Sequence, residues 1–164
     1  MTTVKEAQFE GQCTCGSVRY HLTREPMFVH CCHCTWCQRE TGSAFVINAL
    51  IEAEHVVLDA GEPEVVVTPS ASGKGQRINR CPECRVALWS TYAGAGEALR
   101  FIRVGTLAEP GRLPPDIHIY TSTKLPWVVL PSDTPSFAEY YDLKELWPQE
   151  SLARRAALRA KRRG

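Results

Sequence analysis

Gly11-Gln12-Cys13-Thr14-Cys15-Gly16-Ser17-Val18-Arg19-Tyr20-His21-Leu22 carries two signals at once. In its second half Val18, Tyr20 and Leu22 alternate with Arg19 and His21, the period of a half-buried strand. Its first half is a C-x-C. Alternate residues of extended backbone share a face, so Cys13 and Cys15 aim both sulfurs at one point. Two thiolates make one edge of the tetrahedron zinc accepts, and Arg80-Cys81-Pro82-Glu83-Cys84-Arg85 offers the other edge as a knuckle-like C-x-x-C after a strand. Four thiolates close the site. A closed site is structural, and this one ties the N-terminal strand to a hairpin in the middle of the chain.

Working outward, the remaining cysteines lie in Cys31-Cys32-His33-Cys34-Thr35-Trp36-Cys37. With the outer pairs assigned, Cys32, Cys34 and Cys37 form a three-cysteine set with an open fourth position, the arrangement of a site that binds something. If the chain is extended here, Cys31 and Cys32 point to opposite faces, and Cys31 packs as a small buried hydrophobe. A bulge that broke the alternation would make it a fourth ligand instead. His33 alternates out of the Cys32/Cys34 face and reads as a surface or supporting residue. Two other uses of the cysteines compete with metal. A disulfide framework belongs to secreted chains, and Met1-Thr2-Thr3-Val4-Lys5-Glu6 carries an acid and no apolar leader. A thioredoxin-like pair needs a βαβ alternation that is missing. The reading is two zinc ions per chain.

A length of 164 residues suits one domain, and 44% hydrophobic residues can fill its core. No apolar run approaches the roughly 18 residues of a membrane span, so the expectation is a soluble, cytoplasmic protein. Phe45, Ile47, Ala49 and Ile51 alternate with Val46, Asn48 and Leu50. Further short runs follow at Val65–Thr68, Arg77–Arg80, Val86–Thr91, Leu99–Gly105 and Ile117–Ser122. Rich in Val, Ile, Thr and aromatics, and mostly bounded by Gly, Pro, Asn, Asp or Ser, they predict an all-β sandwich or distorted barrel. Ser70–Gly75 and Gly94–Glu97 read as its turns. Helix is scarce: Thr35–Thr41, Ser136–Tyr141 behind a Ser cap with Glu139 three residues on, and a tail from Ser151, which Ser151 could cap. The tail holds Arg154, Arg155, Arg159, Lys161, Arg162 and Arg163 and no acid, so the +1 net charge hides an acidic body and a basic end. The tail reads as a solvated helix, fraying or docked on the acidic body, or else as a contact for nucleic acid or another subunit. Its removal is expected to leave zinc and thiol binding intact. The sequence sets no oligomeric state.

The motifs G-Q-C-T-C-G-S-V, C-H-C-T-W-C-Q-R-E-T-G-S-A-F, C-P-E-C and P-D-I-H-I-Y-T-S-T-K-L-P-W run in order from about Phe9 to Tyr141. Together they resemble the glutathione-dependent formaldehyde-activating enzyme family, also called the Gfa-like or CENP-V/GFA domain. The resemblance implies an Mss4-like fold: a mainly β complex of sheets with zinc knuckles, few short helices and here a C-terminal helix. It implies a domain over 9–141 and leaves 142–164 as an extension with a basic helical tail. It implies a structural zinc on Cys13, Cys15, Cys81 and Cys84 and a catalytic zinc on Cys32, Cys34 and Cys37. The implied activity is that of a carbon–sulfur lyase running in reverse, joining glutathione with formaldehyde to give S-hydroxymethylglutathione. A small thiol such as glutathione and an aldehyde are then the partners.

The residues suit that chemistry. Three thiolates weaken the ion as a Lewis acid, so hydrolysis by activated water is disfavoured. A fourth thiolate can still bind deprotonated and attack an aldehyde carbon, with a nearby donor steadying the oxyanion. Arg39, Thr41 and Ser43 follow the triplet closely and are candidates for that donor. His118 alternates against Ile117 and Ile119, matches a histidine of the family and is a catalytic candidate; the alternative is a satisfied sheet histidine. Trp127, in L-P-W, matches a family position and reads as core. Arg85 stands where the family favours Gly, and a left-handed backbone there would be strained. Two readings of other classes stay open. One is a non-catalytic carrier of a small thiol or other ligand. The other is a zinc-stabilised interaction module whose basic tail contacts nucleic acid or an acidic partner, nucleic acid being the less expected of the two.

Overall fold

Two sheets carry the fold of residues 8–164, which the computed structural model describes; Met1–Glu6, read above as lacking an apolar leader, lies outside the described residues. The smaller sheet joins β1 (Phe9–Gln12), β2 (Arg19–Leu22) and β5 (Val56–Ala60) in the order β1-β2-β5, all antiparallel. The larger contains β3 (Phe28–Cys32), β4 (Val46–Glu52), β6 (Glu64–Thr68), β7 (Gln76–Arg80), β8 (Ala87–Tyr92), β9 (Leu99–Arg103) and β10 (Ile117–Ile119). Its order is β10-β3-β4-β9-β8-β7-β6, with β10 alone pairing in parallel, on β3. Three α-helices are short or terminal: α1 (Thr35–Thr41), α2 (Leu143–Leu146) and α3 (Gln149–Arg163). The chain is mainly β with few helices and a helix at its C-terminal end, as expected. No helix among the described residues is long and apolar enough to cross a membrane.

The alternation of β2 is used as the pattern predicts: Tyr20 and Leu22 are buried and Arg19 is exposed. In the centre of the larger sheet both faces are covered. All five residues of β3 are buried, which explains why F-V-H-C-C shows no polar alternation. One core lies between the sheets around Tyr20, Leu22, Ile51, Leu88 and Ile102. A second gathers Phe28, Leu50, Ile117, Tyr141 and Trp147, and Leu152 and Leu158 of α3 pack against it.

Four expectations change. Ser136–Tyr141 is not a helix. β10 is the sheet's last strand, and its free edge takes up the segment instead. His118 N–H donates to Pro135 O at 2.9 Å, Phe137 N–H to His118 O at 3.0 Å, and Tyr120 N–H to Glu139 O at 3.0 Å. An edge strand's open hydrogen-bonding groups outweigh a local capping pattern. Helix begins later, at Leu143, capped by Asp142, which accepts from Lys144 N–H at 2.9 Å. Strand β9 ends at Arg103 and β10 at Ile119, each two or three residues short of the expected run; a 3-10 turn takes Val104–Thr106 and a left-handed residue takes Tyr120. Ser151 does not cap the tail helix. It lies inside α3 and donates to Met27 O at 2.6 Å, while the helix starts behind Pro148, whose fixed φ suits a helix start. Trp127 is not core but 72% exposed.

The strain foreseen at Arg85 is present, with φ +66°. Arg85 N–H donates to Cys81 O at 3.0 Å, so the left-handed turn is what closes the Cys81–Cys84 knuckle. The exposed side chain pairs with Glu64. Two variants isolate the strain, because both delete that surface pair. Arg85→Gly should be more stable than Arg85→Ala by about 1 kcal/mol, the cost of left-handed backbone for a residue with a Cβ. Urea midpoints of the two variants measure it, and equal midpoints would remove the strain.

Candidate metal centres

Cys13 and Cys15 sit in the turn between β1 and β2, Cys81 and Cys84 in the turn between β7 and β8. The fold brings all four sulfurs within 4.8 Å of one another. Each turn is closed by backbone: Cys13 N–H donates to Val18 O and Cys81 N–H to Val86 O, at 3.1 and 3.0 Å. Gly16, at φ +76°, gives the first turn the left-handed residue that Arg85 gives the second. Sγ of Cys15 lies 3.5 Å from that of Cys13 and 3.7 Å from that of Cys81. Tetrahedral Zn–S bonds of about 2.3 Å put sulfurs about 3.8 Å apart, so the donor set fits zinc in both chemistry and spacing. Cys13 and Cys81 are buried, Cys15 exposed and Cys84 half-buried. Hydrogen bonding from the Ser17 hydroxyl and backbone pulls the Cys15 thiol down to about 6, which favours its ligating thiolate form. All eight cysteines are unpaired.

Cys32 ends β3, Cys34 stands at the N-cap of α1, and Cys37 lies in its first turn, where its N–H reaches Cys34 Sγ at 3.4 Å. The three sulfurs also fall within 4.8 Å of one another. They line a cavity of about 370 Å³ with His30, Asn48, Tyr92, Tyr120, Lys74 and Arg155 among its other walls. The thiols share their protons unequally. Hydrogen bonds from Cys32 and Cys37 hold the Cys34 thiol down at about 2, while contact with Cys34, then burial, pushes Cys32 up to about 12, and contacts with Cys32 and then Cys34 push Cys37 up. One thiolate is thus favoured without a metal, and loading a metal on all three must release the remaining protons.

Cys31, His33 and His118 gather on the reverse of this strand. β3 and β10 pair Cys31 with His118 and Cys32 with Ile119, so alternation sends the first pair to one face and the second to the cavity. Cys31 stays apart from the triplet, 1% exposed, and burial pushes its thiol up to about 12. His33 is not at the surface, as was one expectation, but fully buried, with Nε2 2.9 Å from His118 Nδ1 and 3.6 Å from Cys31 Sγ. Burial, then the neighbouring His118 and Lys124, lowers His33 to about 4, and burial lowers His118 also, so both rings are neutral at pH 7. The carbonyl of His33 accepts from Gln38 Nε2 at 2.8 Å and Thr123 Oγ1 at 3.0 Å. The group pins the loop that carries Cys32 and Cys34. His118 itself is not on the cavity wall.

Arg39, Thr41 and Ser43 do not line the cavity either, because α1 carries them away; Thr41 Oγ1 is turned onto Cys37 O at 2.8 Å. The walls come from residues remote in sequence. Tyr120 would alternate onto the face of His118 in a continued strand; with φ +54° it lines the cavity beside Ile119 instead. His30 Nε2 lies 2.6 Å from Tyr141 Oη in a hydrogen bond, and that oxygen accepts from Trp147 Nε1 at 2.7 Å, which ties β3 to the C-terminal segment. The tail is docked rather than loose: Arg154 grips Glu52 through two hydrogen bonds of 2.7 and 2.5 Å, and Lys161 lies 3.5 Å from Glu54. This docking brings Arg155 to the cavity.

A model of the family described as glutathione-dependent formaldehyde-activating enzyme matches residues 8–123. No curated protein matches the chain. Among solved structures, the crystal structure of a Rhodobacter sphaeroides protein is similar to it, with TM-score 0.44 and 14% identity over 78% of this chain and 99% of that one.

Proposed function

The chain belongs to the glutathione-dependent formaldehyde-activating enzyme family, and from that premise we propose that it joins a small thiol to an aldehyde. Glutathione with formaldehyde, or a related pair, is the proposed substrate couple, and the reaction is a carbon–sulfur lyase reaction run towards the adduct. Two zinc ions per chain are proposed, one structural on Cys13, Cys15, Cys81 and Cys84, one catalytic on Cys32, Cys34 and Cys37. The observation that carries the reading is the contrast between these groups. The first is a complete set of four thiolates between two turns; the second is a set of three on the wall of a cavity.

A zinc ion held by Cys32, Cys34 and Cys37 would keep an incoming thiol in its nucleophilic, deprotonated form. The chain supplies the rest. Apolar walls from Phe101, Ile119 and Trp36 thin the water around the reacting carbon. As the C–S bond forms, the carbonyl π electrons move to oxygen, and the phenol of Tyr120 is the donor we assign to that oxyanion. Burial raises the Tyr120 pKa, so its proton is in place at neutral pH. His118, a catalytic candidate from its motif, takes a positioning role here, because it holds His33 between two of the ligands. Residues 9–141 form the proposed catalytic unit and 142–164 an extension packed on it. Eight free thiols suit the reducing cytoplasm, the proposed location.

Adduct formation measured above the spontaneous rate tests the reading. Cys34→Ala should stay folded, lose about half its zinc and show no rate above background, since it removes a ligand only from the three-cysteine set. A wild type that binds thiol without accelerating adduct formation would favour the carrier reading. Equal unfolding by Cys34→Ala and Cys13→Ser would sink the division into two kinds of site.

A further inference from the structure

The cavity above Cys32, Cys34 and Cys37 is lined by two cations and by no carboxylate. Arg155 comes from α3, beyond the residues the family model matches, and Lys74 from the loop between β6 and β7. Among the described residues no carboxylate lies within 4.0 Å of either. Their neighbours on α3 are spent differently: Arg154 on Glu52, Lys161 on Glu54, Arg162 on Ala95 O at 3.2 Å. Arg155 is half-buried, its guanidinium 6.0 Å from the ring of Trp147, and burial holds its pKa below the ordinary value. A cation partly removed from water without an anion is unfavourable unless something else supplies the negative charge. The opposite need lies on the same wall. Gln76 is 7% exposed and lines the cavity, and its Oε1 is buried with no hydrogen-bond partner. Two free cations and one free acceptor complement a ligand that carries carboxylate together with amide or ammonium N–H groups. A cavity of about 370 Å³ is of the size that takes such a small molecule.

We propose that Arg155, assisted by Lys74, grips a carboxylate of the thiol substrate, so that the site selects anionic, peptide-like thiols over neutral ones. This rests on the thiol-capture reading and names the class of thiol. The tail then has a purpose at the site, since the Arg154–Glu52 clamp and the Tyr141–Trp147 hydrogen bond hold the helix that presents Arg155; its removal should spare the zinc but weaken glutathione, against the sequence expectation that thiol binding survives. Arg155 is thus a specificity residue brought to the cavity by the extension.

Calorimetric titration of the zinc-loaded full chain tests this, with glutathione, its diethyl ester and S-methylglutathione as probes. Arg155→Met should weaken glutathione and S-methylglutathione about ten- to a hundredfold, the scale of one lost charge-assisted contact. The diester should bind weakly to the wild type and be unaffected by the substitution. Lys74→Met should give a smaller loss of the same selectivity. Arg159→Met, which removes an exposed cation of the same helix, should change nothing. Unaltered glutathione affinity in Arg155→Met would overturn the proposal. So would equal losses for glutathione and diester, because that is what a merely structural role produces. If S-methylglutathione binds through Arg155 while the free thiol adds no affinity, the thiol-capture reading fails and the carboxylate grip stands. If the wild type binds neither, the grip is wrong, and 2-mercaptoethanol binding then judges the thiol-capture reading separately.

Discussion

Replacing Cys81 with serine is expected to unfold the protein. Cys81 is fully buried, its sulfur stands 3.7 Å from that of Cys15, and its turn is the contact through which β7 and β8 meet the turn between β1 and β2. The four sulfurs join the two sheets at positions far apart in the chain, so with the proposed zinc bound there the free energy of binding it would be free energy of folding. For structural zinc that amounts to about 10–16 kcal/mol in small zinc-binding peptides. A whole domain is stable by only about 5–15 kcal/mol. A serine hydroxyl does not ligate as a thiolate does, and nothing else in the turn substitutes for it. Circular dichroism and zinc content check the outcome: the variant should lack a cooperative thermal transition and retain neither ion. A folded variant with an unchanged midpoint would show that this group holds nothing together.

Arg154→Ala should cost about 3–5 kcal/mol, the toll of leaving a buried charge without its partner. The Glu52 side chain is 6% exposed and that of Arg154 9%, and Arg154 also donates to Glu25 O at 3.0 Å. Glu52 ends β4, so the pair rivets the C-terminal helix to the middle of the larger sheet. Replacing both partners by apolar residues, as in Arg154→Met with Glu52→Leu, should recover most of the loss, because no orphaned charge remains. The pair also makes a signed prediction in pH. Burial, the largest single influence, tends to raise the Glu52 pKa, but the hydrogen bonds from Arg154, the backbone hydrogen bond and the charges of Arg154 and His55 together hold the carboxyl below its ordinary value. Its contribution is therefore complete above the unfolded carboxylate pKa of about 4.3 and fades as pH falls through the lower folded value. The stability gap between wild type and Glu52→Gln should be widest near neutral pH and shrink in acid. A gap that stays constant across that window would refute the assignment.

How much of this is legible in the sequence follows from what carries each feature. Thiolate pairs are placed by one or two peptide units, so Cys13/Cys15, Cys81/Cys84 and Cys32/Cys34/Cys37 could be sorted from spacing alone, and the fold gathers each set within 4.8 Å. The reversal of Cys31 against Cys32 follows from strand alternation in the same way. The cavity is different. Tyr120 enters it through a left-handed residue that no period announces. His30 lies in a strand buried on both sides, where pattern vanishes. Ser136–Tyr141 had a good capping pattern, yet the free edge of β10 decided its conformation. Arg155 reaches the site because contacts remote in sequence, Glu52 about a hundred positions earlier among them, fix its helix. Docking on the acidic body was one of the options the basic tail offered, but its place was not legible, since a buried ion pair rather than a wide apolar stripe marks it.

The central claim is that one group of cysteines is closed and the other can still accept a thiol. The most direct measurement replaces zinc with cobalt in the full chain and follows thiolate-to-metal charge-transfer absorption while glutathione or 2-mercaptoethanol is added. The account predicts a growing band in the wild type and in Cys31→Ala. It predicts no growth in Cys34→Ala, which should keep only the four-thiolate spectrum. No change at millimolar thiol in the wild type, or growth that survives in Cys34→Ala, would contradict it.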